Sequence, residues 1–145
     1  MMKRISADVE AELSAVMNRD EILALQHTVR RIPVADHIYE YAAAIVRATR
    51  PEDPAAPEFI REWLSYGAGP RASLYLITAG KSRAALRGRL HMSIEDVQAL
   101  APAILRHRII LNFAARSEGM TSDSVIAKLL ETIPTDEKLY ASAAG

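Results

Sequence analysis

Gly80-Lys81-Ser82 has the residue types that close a phosphate-binding loop. Such a loop needs another glycine five positions earlier, between a strand and a helix, so that bare backbone N–H groups can wrap the phosphates. Tyr75 stands there, and the alanine-rich surroundings have the periodicity of a helix interior. The triplet therefore reads as a helix with one glycine where another backbone packs closely. Four histidines, His27, His37, His91 and His107, raise the question of a metal. None lies at the i, i+4 spacing of a zinc-binding helix, and His37, beside Asp36 and near Glu40, is the best of a poor set. Surface or boundary histidines and no metal site are the expectation. The serines lack a nucleophile-elbow pattern, and Ser73 falls within a predicted helix.

The informative stretch is Tyr66-Gly67-Ala68-Gly69-Pro70-Arg71-Ala72-Ser73. With Gly69 near the cap and Pro70 in the first turn, Arg71 sits at a helix N-terminus, where free N–H groups and the helix dipole favour an anion and disfavour a cation. An arginine placed there either points into solvent, as in an ordinary turn, or meets a carboxylate or phosphate. Local sequence leaves both open.

The elements that must position these residues are helices. Ile5, Val9, Leu13 and Val16 have near-helical spacing, and Asn18 with Glu21 reads as a capping pair opening a helix with Ile22, Leu25 and Val29 on one face. Pro33 closes it. Ile38, Tyr41, Ala42, Ile45 and Val46 form the buried stripe of the next helix, and the proline-rich segment 50–57 reads as a surface connection. Pro57 suits the first turn of a helix bearing Phe59, Ile60, Trp63 and Leu64, with Gly67 as an αL cap. A long packed helix should run from 70 to about 87. Beyond Gly88, residues 89–92 read as extended, and Ser93 with Asp96 matches a capping box before a short helix. Pro102 restarts a helix, and Ile109-Ile110-Leu111 reads as a strand pairing near Leu90. Thr121 caps a last helix through Val125, Ile126, Leu129, Leu130 and Ile133, which Pro134 stops, and 135–145 should fray. The expected fold is an all-α small helical bundle with at most one short β-hairpin.

The chain of 145 residues, 50% hydrophobic, is long enough for one domain with a real core. Its 18 basic and 18 acidic residues cancel, which argues against a general nucleic-acid or anionic-membrane partner. The absence of cysteine removes disulfides and thiolate metal sites and suits a reducing cytoplasm. No apolar run approaches the roughly 20 residues of a membrane span, and no signal-peptide apolar region follows Lys3 and Arg4. Lysine is confined to Lys3, Lys81, Lys128 and Lys138; arginine supplies every other side-chain cation, which fits either interface ion pairs or a biased codon composition.

Gly67-Ala68-Gly69-Pro70-Arg71-Ala72-Ser73 resembles the motif opening the sensor-2 helix in the C-terminal lid of MoxR-type AAA+ ATPases. Glu21-Ile22-Leu23-Ala24-Leu25-Gln26, Val29-Arg30-Arg31-Ile32-Pro33-Val34, Val46-Arg47-Ala48-Thr49-Arg50-Pro51 and Leu105-Arg106-His107-Arg108-Ile109 resemble that lid in the same order. The resemblance implies a lid over residues 18–134, preceded by an interdomain connection or an N-terminal helix at 1–17. It implies ATP hydrolysis, with Mg, in the intact protein: a ring of subunits that remodels or activates partners, often ones with von Willebrand factor A domains. Arg71, following Gly69 and Pro70, takes the place of the sensor-2 arginine, which contacts the γ-phosphate and couples lid position to nucleotide state.

The phosphate loop, acidic metal-binding motif, sensor-1 residue and arginine finger of that family belong to an N-terminal α/β core, and no Gly-rich strand–loop–helix unit occurs here. The expectation is an excised lid that does not hydrolyse ATP alone and holds no cofactor tightly. Its apolar surfaces, bared without the core, should promote self-association. Arg106, His107 and Arg108 either face the core or a neighbouring subunit, or cap the preceding helix C-terminus. Two readings compete with the lid: a free-standing helical adaptor with an apolar protein-binding groove and no nucleotide role, and a helix-turn-helix DNA binder suggested by Arg106 and Arg108, which the zero net charge disfavours.

Overall fold

The computed structural model describes residues 14–136, in which seven helices and one two-stranded antiparallel ribbon are arranged around a single apolar cluster. The expected N-terminal helix through Ile5, Val9 and Leu13 and the tail beyond residue 136 lie outside the described residues; Val16, at the edge, is exposed. No described helix is long and apolar enough to cross a membrane.

α1 (Arg19–Arg30) begins with the predicted capping box, in which the Glu21 N–H donates to Asn18 Oδ1 (2.9 Å) and the Asn18 N–H to Glu21 Oε2 (2.7 Å). Its apolar face is not packed as the periodicity suggests, because Ile22 and Leu25 remain about half exposed and no residue of α1 is buried. α2 (Asp36–Ala48) buries the predicted stripe of Ile38, Tyr41, Ala42, Ile45 and Val46.

α3 (Glu58–Trp63) is short and passes directly into β1 (Leu64–Tyr66), so Leu64 belongs to a strand rather than to the helix. β2 (Ile110–Leu111) pairs antiparallel with β1 and not with residues near Leu90, correcting the expected pairing. Two bonds from Asn112 help hold that register, from its N–H to Trp63 O (2.9 Å) and from its side-chain amide to Glu62 O (2.5 Å). Around Leu90 the chain has another task. Met92 is buried and its N–H donates to Pro33 O (3.3 Å), while Leu90 points to solvent.

α4 (Arg71–Leu86) is the central helix, burying Ala72, Leu76, Ile77, Gly80 and Ala84. Small side chains let neighbours approach closely: a Cβ on Gly80 would lie 2.1 Å from Met92 Cε, so the glycine makes room for a side chain rather than for a backbone. The helix ends at Gly88 (φ 67°), whose N–H donates to Ala85 O (2.9 Å) while that of Arg89 donates to Ala84 O (2.9 Å), the two bonds of a left-handed glycine cap. Gly67 has no positive φ and is not such a cap.

α5 (Ile94–Leu105) is continuous through Pro102, where a fresh start was expected. Proline there removes one internal hydrogen bond; burial of Val97, Ala101, Ile104 and Leu105 along one face keeps the helix together. α6 (Phe113–Ser117), which the apolar pattern did not reveal, is capped by Asn112 Oδ1 accepting from the Ala115 N–H (3.0 Å). α7 (Ser122–Thr132) starts at Thr121 as predicted and buries Val125, Ile126 and Leu129 against the core.

Candidate functional site

Arg71 is the first residue of α4, with Pro70 as N-cap in helical conformation (φ −57°, ψ −28°) and no side-chain bond closing the cap. The first turn contains no acidic residue. Arg71 is exposed and forms no ion pair or side-chain hydrogen bond within the described residues. An unpaired cation thus stands beside the positive end of a helix, where the guanidinium and the helix dipole would both favour an approaching anion; the Ala72 and Ser73 N–H groups already donate to Gly69 O (3.0 Å) and Pro70 O (3.1 Å). A Cβ on Gly69 would meet nothing within 4 Å, so the backbone is open on the approach to Arg71.

The segment leading to Arg71 is held from the end of α2. Thr49 Oγ1 accepts from the Ala68 N–H (2.8 Å) and donates to Val46 O (2.7 Å), and Arg50 Nε donates to Ala68 O (3.1 Å). Gly67 is pressed against the same residues, since a Cβ there would lie 2.3 Å from Thr49 O and 2.7 Å from Arg50 Cα.

The other cations considered from sequence are distributed. Arg108 lies over the Tyr75 ring (4.9 Å to its centroid), one turn along α4 from Arg71, and contacts Ile104 O and His107 Nε2. Arg106 turns away from that group, donating to Pro102 O (3.0 Å) and pairing with Asp123 on α7 (3.1 Å). Both arginines thus reach carbonyls in the last turn of α5, where cations are favoured, and His107 remains exposed beside Arg108. Lys81 of the phosphate-loop look-alike donates to Arg30 O at the end of α1 (2.9 Å), and Ser82 Oγ donates to Thr78 O (3.2 Å). Both groups are engaged in helix packing and capping. Among the described residues no three of the histidines, aspartates and glutamates gather to hold a metal ion. His37 and His91 do share the lining of a groove of about 790 Å³ with Glu95, between the α1–α2 connection and the start of α5.

Two features went unread in the sequence. One is the Thr49–Arg50 grip, whose residues were visible only as part of a motif. The other is Asp96, fully buried and bonded by both Arg83 and Arg89 while its other oxygen accepts from the Ser93 N–H (3.0 Å). Burial alone would raise the Asp96 pKa, but the bonds from Arg89, the Ser93 backbone and Arg83 prevail and hold it at about 2. The capping-box spacing marked Asp96 as a helix-start residue; nothing local marked the two arginines as its partners.

A family model described as the AAA lid domain matches residues 59–129, the span from α3 to α7 that contains Arg71 and the ribbon beneath it. Residues 59–129 form an AAA lid domain. Relatives of the lid domain include the chaperone MoxR1 of Mycobacterium tuberculosis, 31% identical over 81% of this chain and 31% of that protein. Protein MoxR of Methylorubrum extorquens is 29% identical over 90% of this chain and 39% of its own. Among solved structures, one described as a proposed ATPase from Cytophaga hutchinsonii superposes with a TM-score of 0.82 at 25% identity, covering 93% of this chain and 41% of that one. The chain spans roughly a third of the length of the curated relatives it matches. The lid domain is therefore related to MoxR ATPases, and its helical bundle with one short ribbon is the lid fold.

Proposed function

We propose that this lid domain closes over ATP held by an N-terminal AAA+ core and that Arg71 contacts the γ-phosphate, coupling lid position to hydrolysis. The observation that carries the reading is the placement of Arg71: exposed, unpaired within the described residues, and at the start of a long helix with no acidic residue in its first turn. A phosphate there neutralises the guanidinium and meets the positive helix end, and its charge grows during phosphoryl transfer, when the contact strengthens. Mg would be held by the core, since the described residues offer no carboxylate cluster for it. In this reading the intact protein is an ATPase of the cytoplasm, assembled as a homo-oligomeric ring, that remodels or activates partners such as von Willebrand factor A domain proteins.

Backbone amide spectra recorded during an ATP titration test the proposal. Weak, millimolar-range shifts centred on Gly69 to Ser73, lost in Arg71→Ala, are expected. Tight binding, shifts centred elsewhere, or a response that Arg71→Ala leaves intact would overturn it. A second reading, a protein-binding adaptor with no nucleotide role, has one observation in its favour: an open groove of about 360 Å³ lined by Met17, Ile22, Leu25 and Val29 of α1 and its approach. The same spectra separate the two, because an adaptor would leave Gly69 to Ser73 silent.

A further inference from the structure

Resting on that reading of Arg71, we infer that Thr49 and Arg50 are the positioning residues of the site: together they grip the Ala68 peptide groups and so set where α4 begins and where Arg71 leaves it. The start of α4 lacks a side-chain cap bond, and its first-turn backbone bonds, from the Ala72 N–H to Gly69 O (3.0 Å) and from the Ser73 N–H to Pro70 O (3.1 Å), reach no further back than Gly69. What holds the preceding residue, Ala68, lies just past the C-terminal end of α2. The Ala68 N–H ends on Thr49 Oγ1 (2.8 Å) and the Ala68 C=O on Arg50 Nε (3.1 Å), so both backbone groups of one residue are bound by two consecutive residues 18 and 19 positions away in sequence. Thr49 and Ala68 are each about 1% exposed, which keeps water from replacing the bond between them. The hydroxyl is itself aimed, because its proton goes to Val46 O (2.7 Å) and a lone pair is left for Ala68. Gly67 completes the fit, since any side chain would strike the Thr49 carbonyl at 2.3 Å.

Only Gly69 and Pro70 separate Ala68 from Arg71, so a shift of this peptide carries the guanidinium with it. A charged group displaced by about 1 Å from its productive position loses much of its effect on a reacting phosphate. The grip also joins the C-terminus of α2 rigidly to the N-terminus of α4, so a displacement of α2 would reach Arg71 without passing through the core of the bundle.

The test compares Thr49→Val, which keeps the shape and removes the hydroxyl, with Thr49→Ser, which keeps the hydroxyl, in the whole chain. Three quantities are followed: thermal unfolding, the Arg71 Nε–Hε resonance without ligand, and ATP affinity from the Gly69–Ser73 amides. Thr49→Val should move the Arg71 resonance and weaken ATP by about 5-fold, the order of one lost hydrogen bond. Thr49→Ser should restore both. In an Arg71→Ala background Thr49→Val should lower the melting temperature as before with no further loss of ATP affinity. A Thr49→Val chain that melts lower yet keeps the wild-type Arg71 resonance and ATP affinity would reduce Thr49 to a structural residue and overturn the inference. If Arg71→Ala alone binds ATP as the wild type does, the nucleotide reading fails, and the positioning claim is then decided by the ligand-free Arg71 resonance. Arg50→Lys, which removes the Nε donor from a half-buried side chain, answers the same question should Thr49→Val not fold.

Discussion

The two ends of α4 use arginine in opposite ways. At the C-terminal end Arg83 and Arg89 converge on Asp96, a carboxylate with no exposed surface, and the left-handed turn at Gly88 brings Arg89 round to it. At the N-terminal end Arg71 is exposed and unpaired within the described residues, at the helix pole where a cation is least favoured. One end uses its cations to hold the bundle together. The other leaves a cation available, and the grip of Thr49 and Arg50 on the Ala68 backbone stabilises the segment without engaging Arg71 itself.

This contrast predicts that substitutions of the charged groups at the first end act on stability and that substitution of Arg71 at the second acts on ligand response. The largest effect is expected from Asp96→Ala, which leaves two partly buried guanidinium groups facing a void and should cost about 3 kcal/mol by denaturant unfolding; a cost under about 1 kcal/mol would mean the node is dispensable. Acid should act on the same node more gently. The Asp96 pKa is lowered from 3.8 to about 2 by folding, so the unfolded chain takes up the proton first. The stabilisation is full above the unfolded value and is lost as pH falls through 3.8 toward 2. It amounts to about 2 kcal/mol and should vanish from the acid-unfolding profile of Asp96→Asn.

Next in size is the difference between two neighbouring glycines. Gly67→Ala forces a Cβ to within 2.3 Å of the Thr49 carbonyl and should cost about 1–3 kcal/mol, whereas Gly69→Ala enters open space and should lie within about 0.5 kcal/mol of the wild type. Equal melting temperatures for the two would deny the close approach at Gly67. The smallest effect on stability belongs to Arg71→Ala, within about 0.5 kcal/mol and with the sign of a slight gain, since it removes a cation from the positive helix end. Loss of about 2 kcal/mol there would mean that Arg71 serves the fold after all.

The helical framework was legible wherever apolar spacing and a capping pair agreed. The stripe of α2, the capping box of α1 and the Thr121 start of α7 all follow from neighbours a few positions apart. Signals failed where a partner lies far along the chain. Ile110 has the same apolar character whether it pairs near Leu90 or with Tyr66, and the bonds of Asn112 to the end of α3 favour the second. Gly67 and Gly88 look alike in sequence, yet one is a close approach and the other a left-handed cap. Of the site, Arg71 was legible because its oddity is local, a cation after Gly-Pro at a helix start.

The amino-acid sequence by itself determined that the chain is helical, which faces are apolar, and that Arg71 opens a helix, because those properties arise from contacts within one or two turns. Only the tertiary structure decided that Arg83 and Arg89 meet at Asp96, that Lys81 ends α1 instead of holding a phosphate, and that Thr49 and Arg50 secure the peptide ahead of Arg71. The reason is physical. A buried polar group must find its partner, but which partner it finds depends on how the helices pack, and packing is set by the whole apolar surface at once.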